Sequence, residues 1–231
     1  FFFEKENYEE ALEIFGKQLE QDPDNTELLE KIGFCHHKTD RYRLALEYYK
    51  KLDIYGKSGI WILKNMGFCY RRLEEYENAL KIYIKLSEHE PDNIKHESLT
   101  GFCYLKLENY EKALKHYFKI EYLQPESTNV IRPIAWCYFA IGEFDKSEKY
   151  YKKVFDHNPD YYDYVNYGHL NWVVGDRKRA IENYLLSIEN KNFTFSNFQK
   201  TMEVDTQILV DKGIDKDEIY LMMDYLRYRL K

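Results

Sequence analysis

The chain has 231 residues, 44% hydrophobic and 32% charged, an ordinary balance for a soluble globular protein long enough to bury a sizeable core. Its 40 Asp and Glu exceed 34 Lys and Arg, and the formal net charge of -6 argues against broad nucleic-acid binding, which needs a concentrated basic face. No window offers the roughly 18 or more apolar residues that a membrane helix requires, and "FFFEKENYEE" lacks the basic start and extended apolar core of a secretory signal.

From the N-terminus, "NYEEALEIFGKQLEQDPDN" carries Ala11, Phe15 and Pro23 at offsets that recur downstream. Because the chain opens without Met and inside this pattern, room is left for a region upstream of residue 1. A period of 34 then runs through Gly33, Gly67, Gly101 and Ala135, with Gly168 following after 33. Twelve residues after the small residue stand Ala45, Ala79, Ala113, Ser147 and Ala180; sixteen after it stand Tyr49, Tyr83, Tyr117, Tyr151 and Tyr184. Repeats of this length signal a solenoid. Leu63, Met66, Gly67 and Tyr70 follow the spacing of one buried helix face, and Tyr76, Ala79, Leu80 and Tyr83 that of a second. The short segment between them predicts antiparallel neighbours. Gly and Ala let the two backbones cross closely, and the Tyr rings fill the space around the crossing.

The spacing, with Gly-x-x-Tyr, Ala-x-x-x-Tyr and the closing prolines Pro91, Pro125 and Pro159, resembles the tetratricopeptide repeat (TPR) family. The resemblance covers roughly residues 1–194: a leading half repeat at 1–25 and repeats at 26–59, 60–93, 94–127, 128–160 and 161–194. It implies an all-α, right-handed solenoid of helix hairpins. The sequence departs from the family in four respects. The early Trp is replaced by Leu29, Leu63, Glu97, Ile131 and Tyr164, and a usually small later position carries Leu52, Leu86, Ile120 and Val154, which predicts looser or differently angled packing. Gly56 and Gly59 stand where a closing Pro is expected and predict a more flexible joint. Pro133 falls inside a first helix, which it should kink or start late.

Residues 195–231 keep helical character without the signature. Phe198, Met202, Asp205 and Leu209 share a line with Gly213 as the stop; Asp215 is the candidate N-cap of a last helix whose stripe is Ile219, Met222, Met223, Leu226 and Leu230. The pair is expected to cap the repeat array, with docking or dimerisation as the alternative.

Candidate chemistry is sparse. Cys35, Cys69, Cys103 and Cys137 occur once per hairpin, too far apart for a disulfide or zinc site if the hairpins stack, and they read as small packing residues that suit a reducing, cytoplasmic setting. His36 and His37 point about 100° apart on a helix and do not readily share a metal. "YGKSG" lacks the first Gly of a phosphate-binding loop, since Lys51 stands there. No nucleophile–base pairing is recognisable, so neither an enzyme nor a cofactor is expected.

Counting from each repeat start, positions 2, 5, 9 and 12 form a second line on the first helix of each hairpin. The resemblance implies that this line faces a concave groove receiving extended peptides or partner helices. It carries Phe34, Phe68, Phe102, Trp136 and His169 at position 9, and Trp61, Tyr162, Phe139 and Trp172 at positions 2 and 12, with Arg71, Arg72, Lys106 and Arg132 interleaved. Two readings stand side by side: the rings are anchors for a partner, or they pack on one another and under the C-terminal helices. The carboxylate clamp of chaperone-binding TPR modules is not matched, because Phe68 follows Lys64 where Asn is expected and Leu99 follows Lys95. The expected function is a non-enzymatic protein- or peptide-binding scaffold for apolar or aromatic segments with acidic groups. The alternatives are an assembly subunit with a filled groove, joining through its convex face or last helix, and, less favoured, RNA binding.

Overall fold

A computed structural model describes residues 5–125, 127, 129–189 and 193–230, so the first residues of the expected leading half repeat lie outside it. Among the described residues there are thirteen helices and no strand. They are α1 (Lys5–Gln21), α2 (Thr26–Lys38), α3 (Tyr42–Ile54), α4 (Ile60–Arg72), α5 (Tyr76–His89), α6 (Ile94–Lys106) and α7 (Tyr110–Leu123). Then come α8 (Ile131–Ile141), α9 (Phe144–Phe155), α10 (Tyr161–Val173), α11 (Arg177–Ile188), α12 (Phe195–Asp211) and α13 (Lys216–Arg229). The fold is an all-α repeat. The chain forms two compact units, Phe1–His116 and Tyr117–Lys231, divided within α7.

In both units, sequence neighbours pack as hairpins: α2 on α3 and α4 on α5 in the first, α8 on α9 and α10 on α11 in the second. Each hairpin turns the same way. A residue one or two positions beyond the first helix adopts a left-handed backbone, φ 60° at Asp40, 59° at Glu74, 57° at Glu108, 85° at Gly142 and 90° at Gly175. The next N–H then reaches back to a carbonyl of the helix's last turn. These bonds run from Arg41 to His36, Glu75 to Tyr70, Asn109 to Tyr104, Glu143 to Tyr138 and Asp176 to Asn171, all between 2.8 and 2.9 Å. Helix-end carbonyls that would otherwise lack a partner are satisfied this way.

The helix crossings are set by the glycine–tyrosine pairs. A Cβ placed on Gly33 would lie 2.8 Å from Tyr49 Cε1, one on Gly67 2.8 Å from Tyr83 Cε1, and one on Gly168 2.4 Å from Tyr184 Cε1. Those rings are almost completely enclosed and cannot swing aside. Where Ala135 replaces glycine, Ser147 opposite it donates a hydrogen bond to the Ala135 carbonyl at 2.9 Å.

The expected departures took definite forms. Pro133 sits in the first turn of α8, whose start at Ile131 is three positions later in its repeat than the starts of α2, α4, α6 and α10; proline is tolerated there because that N–H has no helical partner. The joint at Gly56 is capped: Gly56 is left-handed at φ 65°, Lys57 N–H donates to the Leu52 carbonyl at 2.8 Å, and Ser58 bonds Asp53. Leu52, Leu86 and Val154 are buried side chains of the core.

In the second unit α12 and α13 complete the core. Phe198, Met202 and Leu209 of α12, and Ile219, Met222, Met223 and Leu226 of α13, join Tyr151, Val165, Trp172 and Tyr184 in one cluster. Leu230, expected on that stripe, is 41% exposed. Gly213 ends α12 with a left-handed backbone, and the Asp215 side chain caps α13 through the Asp217 N–H. Lys212 donates to the Ala140 carbonyl at 2.6 Å, tying the end of α12 to the end of α8.

Candidate functional site

In the first unit the position-9 and position-12 side chains of successive first helices form a continuous row. Phe34 lies 5.5 Å from Trp61 and 6.3 Å from His37; His37 stacks on Phe68 at 4.8 Å with the rings 11° from parallel. The Arg71 guanidinium then sits over Phe68 at 5.4 Å and over Phe102 at 5.8 Å, and Lys106 lies over Phe102 at 5.8 Å. A second line of rings comes from the neighbouring helices. Tyr8, Tyr42 and Tyr76, 34 residues apart, meet Phe34, Phe68 and Phe102 edge-on at 6.1, 5.9 and 6.0 Å. Arg72 covers Tyr42 at 5.5 Å. Such ring–ring and cation–ring contacts fix geometry more than they bury surface. Phe34, Phe68 and Phe102 remain half-buried, and Trp61 is 44% exposed. These rings are neither enclosed nor free: His37, Arg71 and Lys106 pack over them, and part of their surface stays exposed.

His37 was not among the residues singled out for this wall, although its place at position 12 put it in line with Arg71. Burial holds its pKa below the usual value, with Lys38 adding to the effect and Asp40 opposing it. Its Nδ1 is 3.9 Å from the Cys69 thiol. Burial raises the thiol pKa of Cys35 and pushes those of Cys69 and Cys103 up to about 12, so they are poor nucleophiles and serve as packing groups. Among the described residues no cluster of three or more His, Cys, Asp or Glu could hold a metal ion. Also among them, no helix is long and apolar enough to cross a membrane.

On the corresponding line in the second unit three side chains are covered from within. Phe139 and His169 are fully enclosed and Trp172 is 3% exposed, so these three leave the accessible wall. His169 Nδ1 is 2.7 Å from the Tyr184 hydroxyl and its Nε2 is 3.2 Å from Asp205 on α12, so the ring pins the C-terminal pair to the last hairpin. Trp136 packs at 5.3 Å on Phe139. Tyr162 stays 47% exposed beside Tyr161 and Phe193. Arg132, expected to orient a ligand's acid, is committed internally: its Nε bonds both Asp163 oxygens at 2.8 Å and its Nη2 the Asn158 carbonyl at 3.2 Å. Burial raises Asp163, while the Asp160 backbone N–H and Arg132 pull it back down.

Known proteins share the fold. The tetratricopeptide repeat profile matches residues 134–161, which cover most of α8, all of α9 and the first residue of α10. A tetratricopeptide repeat protein from Parabacteroides merdae superposes with TM-score 0.69 at 21% identity, over 96% of this chain and 93% of that one. The fold is that of the TPR proteins. MamA residues 41 to the end from Desulfovibrio magneticus gives TM-score 0.63 at 21% identity over 71% of this chain and 93% of its own. Pseudomonas aeruginosa PilF gives 0.58 at 19% over 85% and 90%. No curated protein sequence matches the chain. The TPR hairpin thus accounts for the small-residue crossings, and the resemblance read from their spacing holds.

Proposed function

We propose that the chain is a non-enzymatic scaffold that binds a protein or peptide segment along the aromatic wall of its first unit. The observation that carries this reading is the row Phe34–His37–Phe68–Arg71–Phe102, a run of aromatic rings joined by a guanidinium, in which each Phe is packed on its neighbours yet keeps part of its surface exposed. Leaving such rings in water is costly, and aromatic and Arg side chains dominate binding hot spots. Arg71, Arg72 and Lys106 favour acidic groups on the partner, consistent with charge-assisted pairing beside an apolar contact. Trp61 would be the most exposed anchor.

The full chain should be screened against an array of peptides combining aromatic and acidic residues, and the best binders measured by fluorescence anisotropy. Phe68→Ala and Phe102→Ala are each expected to weaken binding by about ten- to thirtyfold, the scale of a truncated hot-spot ring. Leu221→Glu, on an exposed face of α13 where an assembly contact would lie, should leave that binding unchanged. Affinity unaffected by both ring truncations, or lost only with Leu221→Glu, contradicts the wall.

A further inference from the structure

Beside the wall, a pocket of about 300 Å³ opens between α4, α5 and the start of α6. Lys64 and Arg71 of α4 and Lys95 and His96 of α6 line it, over an apolar floor that includes Phe68 and Leu99. Two of these groups carry a buried nitrogen without a hydrogen-bond partner among the described residues. The Nε of Arg71 is out of contact with solvent and makes no hydrogen bond. His96 is 2% exposed, and its Nδ1 likewise has no hydrogen-bond partner, the nearest carboxylate oxygen being that of Glu90 at 3.6 Å. Native structures rarely leave such groups unpaired, so a water or a ligand group is expected to complete each of them. The charge balance says which. Glu90 is held at one end by Asn93 at 2.7 Å and Lys64 at 3.2 Å, which accounts for one cation. Among the described residues no carboxylate pairs with Arg71, which lies by the Tyr83 hydroxyl, or with the exposed Lys95. Asn93, Lys95 and His96 are the cap and first turn of the 13-residue α6, so the positive end of that helix adds to the same field.

We infer that this pocket receives a phosphoryl group carried by the segment bound on the wall, with Arg71 and Lys95 as its cations and the Nδ1–H tautomer of His96 as its third donor. Two uncompensated positive charges match the charge of about −2 on a phosphate monoester, and three terminal oxygens match three donors converging from two helices. A single carboxylate would leave one cation unanswered. The apolar floor that includes Phe68 and Leu99 suits an aromatic ring on the phosphoryl oxygen. The inference rests on the wall reading for its bound segment, but the pocket can be probed alone.

Phenyl phosphate, inorganic phosphate and benzoate should be titrated into the full chain by calorimetry. Phenyl phosphate is expected to bind at least about tenfold more tightly than benzoate and more tightly than inorganic phosphate, and Lys95→Ala to weaken it by about tenfold, a charge-assisted hydrogen bond's worth. Lys95 is exposed, so the variant should keep the parent's melting temperature. Phe34→Ala, outside the pocket, should weaken peptide binding and leave phenyl phosphate untouched. Benzoate binding as tightly as phenyl phosphate, no binding of either, or an unchanged affinity in Lys95→Ala overturns the inference. Peptides that bind while phenyl phosphate does not would remove the pocket and keep the wall; the reverse result would remove the wall.

Discussion

Gly168→Ala is expected to destabilise the second unit by about 2 kcal/mol, although alanine is the better helix former by about 1 kcal/mol. The added methyl would sit 2.4 Å from Tyr184 Cε1 and 2.6 Å from Cδ1. That ring cannot yield. Its hydroxyl is held by His169 at 2.7 Å, and its faces and edges meet Trp172 and Phe198 at 6.2 and 5.3 Å. The helix pair must therefore separate, losing contacts along the crossing. Gly16→Ala is the control. No atom lies within 4 Å of its added Cβ, Gly16 is within α1, and the change should stabilise the protein by about 0.5–1 kcal/mol. Urea unfolding of the two variants, with Tyr184→Leu in a double-mutant cycle against Gly168→Ala, reads both signs. Destabilisation by Gly168→Ala that persists in full in the Tyr184→Leu background would place its origin elsewhere.

Phe198→Ala should cost more, about 3–5 kcal/mol. The side chain is fully enclosed where α12 meets the last hairpin, against Tyr184 and 6.0 Å from Phe195. Its loss leaves a cavity bounded by rings that are locked by their own partners, so collapse recovers little. If α12 and α13 were a detachable cap, the same substitution would release them while the hairpins melted as before. Hydrogen exchange separates the outcomes: amides of α10 and α11 should lose protection together with those of α12. Exchange confined to α12 and α13 would show that the terminal pair is only an appendage.

Much of the architecture was legible because one physical requirement, close crossing of two helices, imposes Gly or Ala and a large ring at fixed offsets. Gly33 with Tyr49 and Gly168 with Tyr184 are that requirement written in sequence. The left-handed hairpin residue was only half legible. Gly142 and Gly175 announce it, but Asp40, Glu74 and Glu108 hold the same conformation, and nothing in an acidic side chain marks a positive φ. The candidate site was less readable still. Phe34 and Phe139 sit on the same line of their helices, yet one is half-buried and the other enclosed. Helical periodicity gives the direction of a side chain, whereas its cover depends on α12 and α13, which carry no repeat signature. Arg132 illustrates the same limit. Its partner Asp163 is 31 residues away on the next first helix, and only the packing of α8 near α10 brings them together.

The most direct test of the account is acrylamide quenching of single-tryptophan proteins. The chain has three tryptophans, Trp61, Trp136 and Trp172, and pairs of Trp→Phe substitutions leave each one alone. An open wall in the first unit and a filled one in the second predict efficient quenching of Trp61, 44% exposed, and strong protection of Trp172, 3% exposed. Saturating peptide should then protect Trp61 and leave Trp172 as it was. A Trp61 as shielded as Trp172 in the free protein would mean that the first unit has no accessible wall for a partner to occupy.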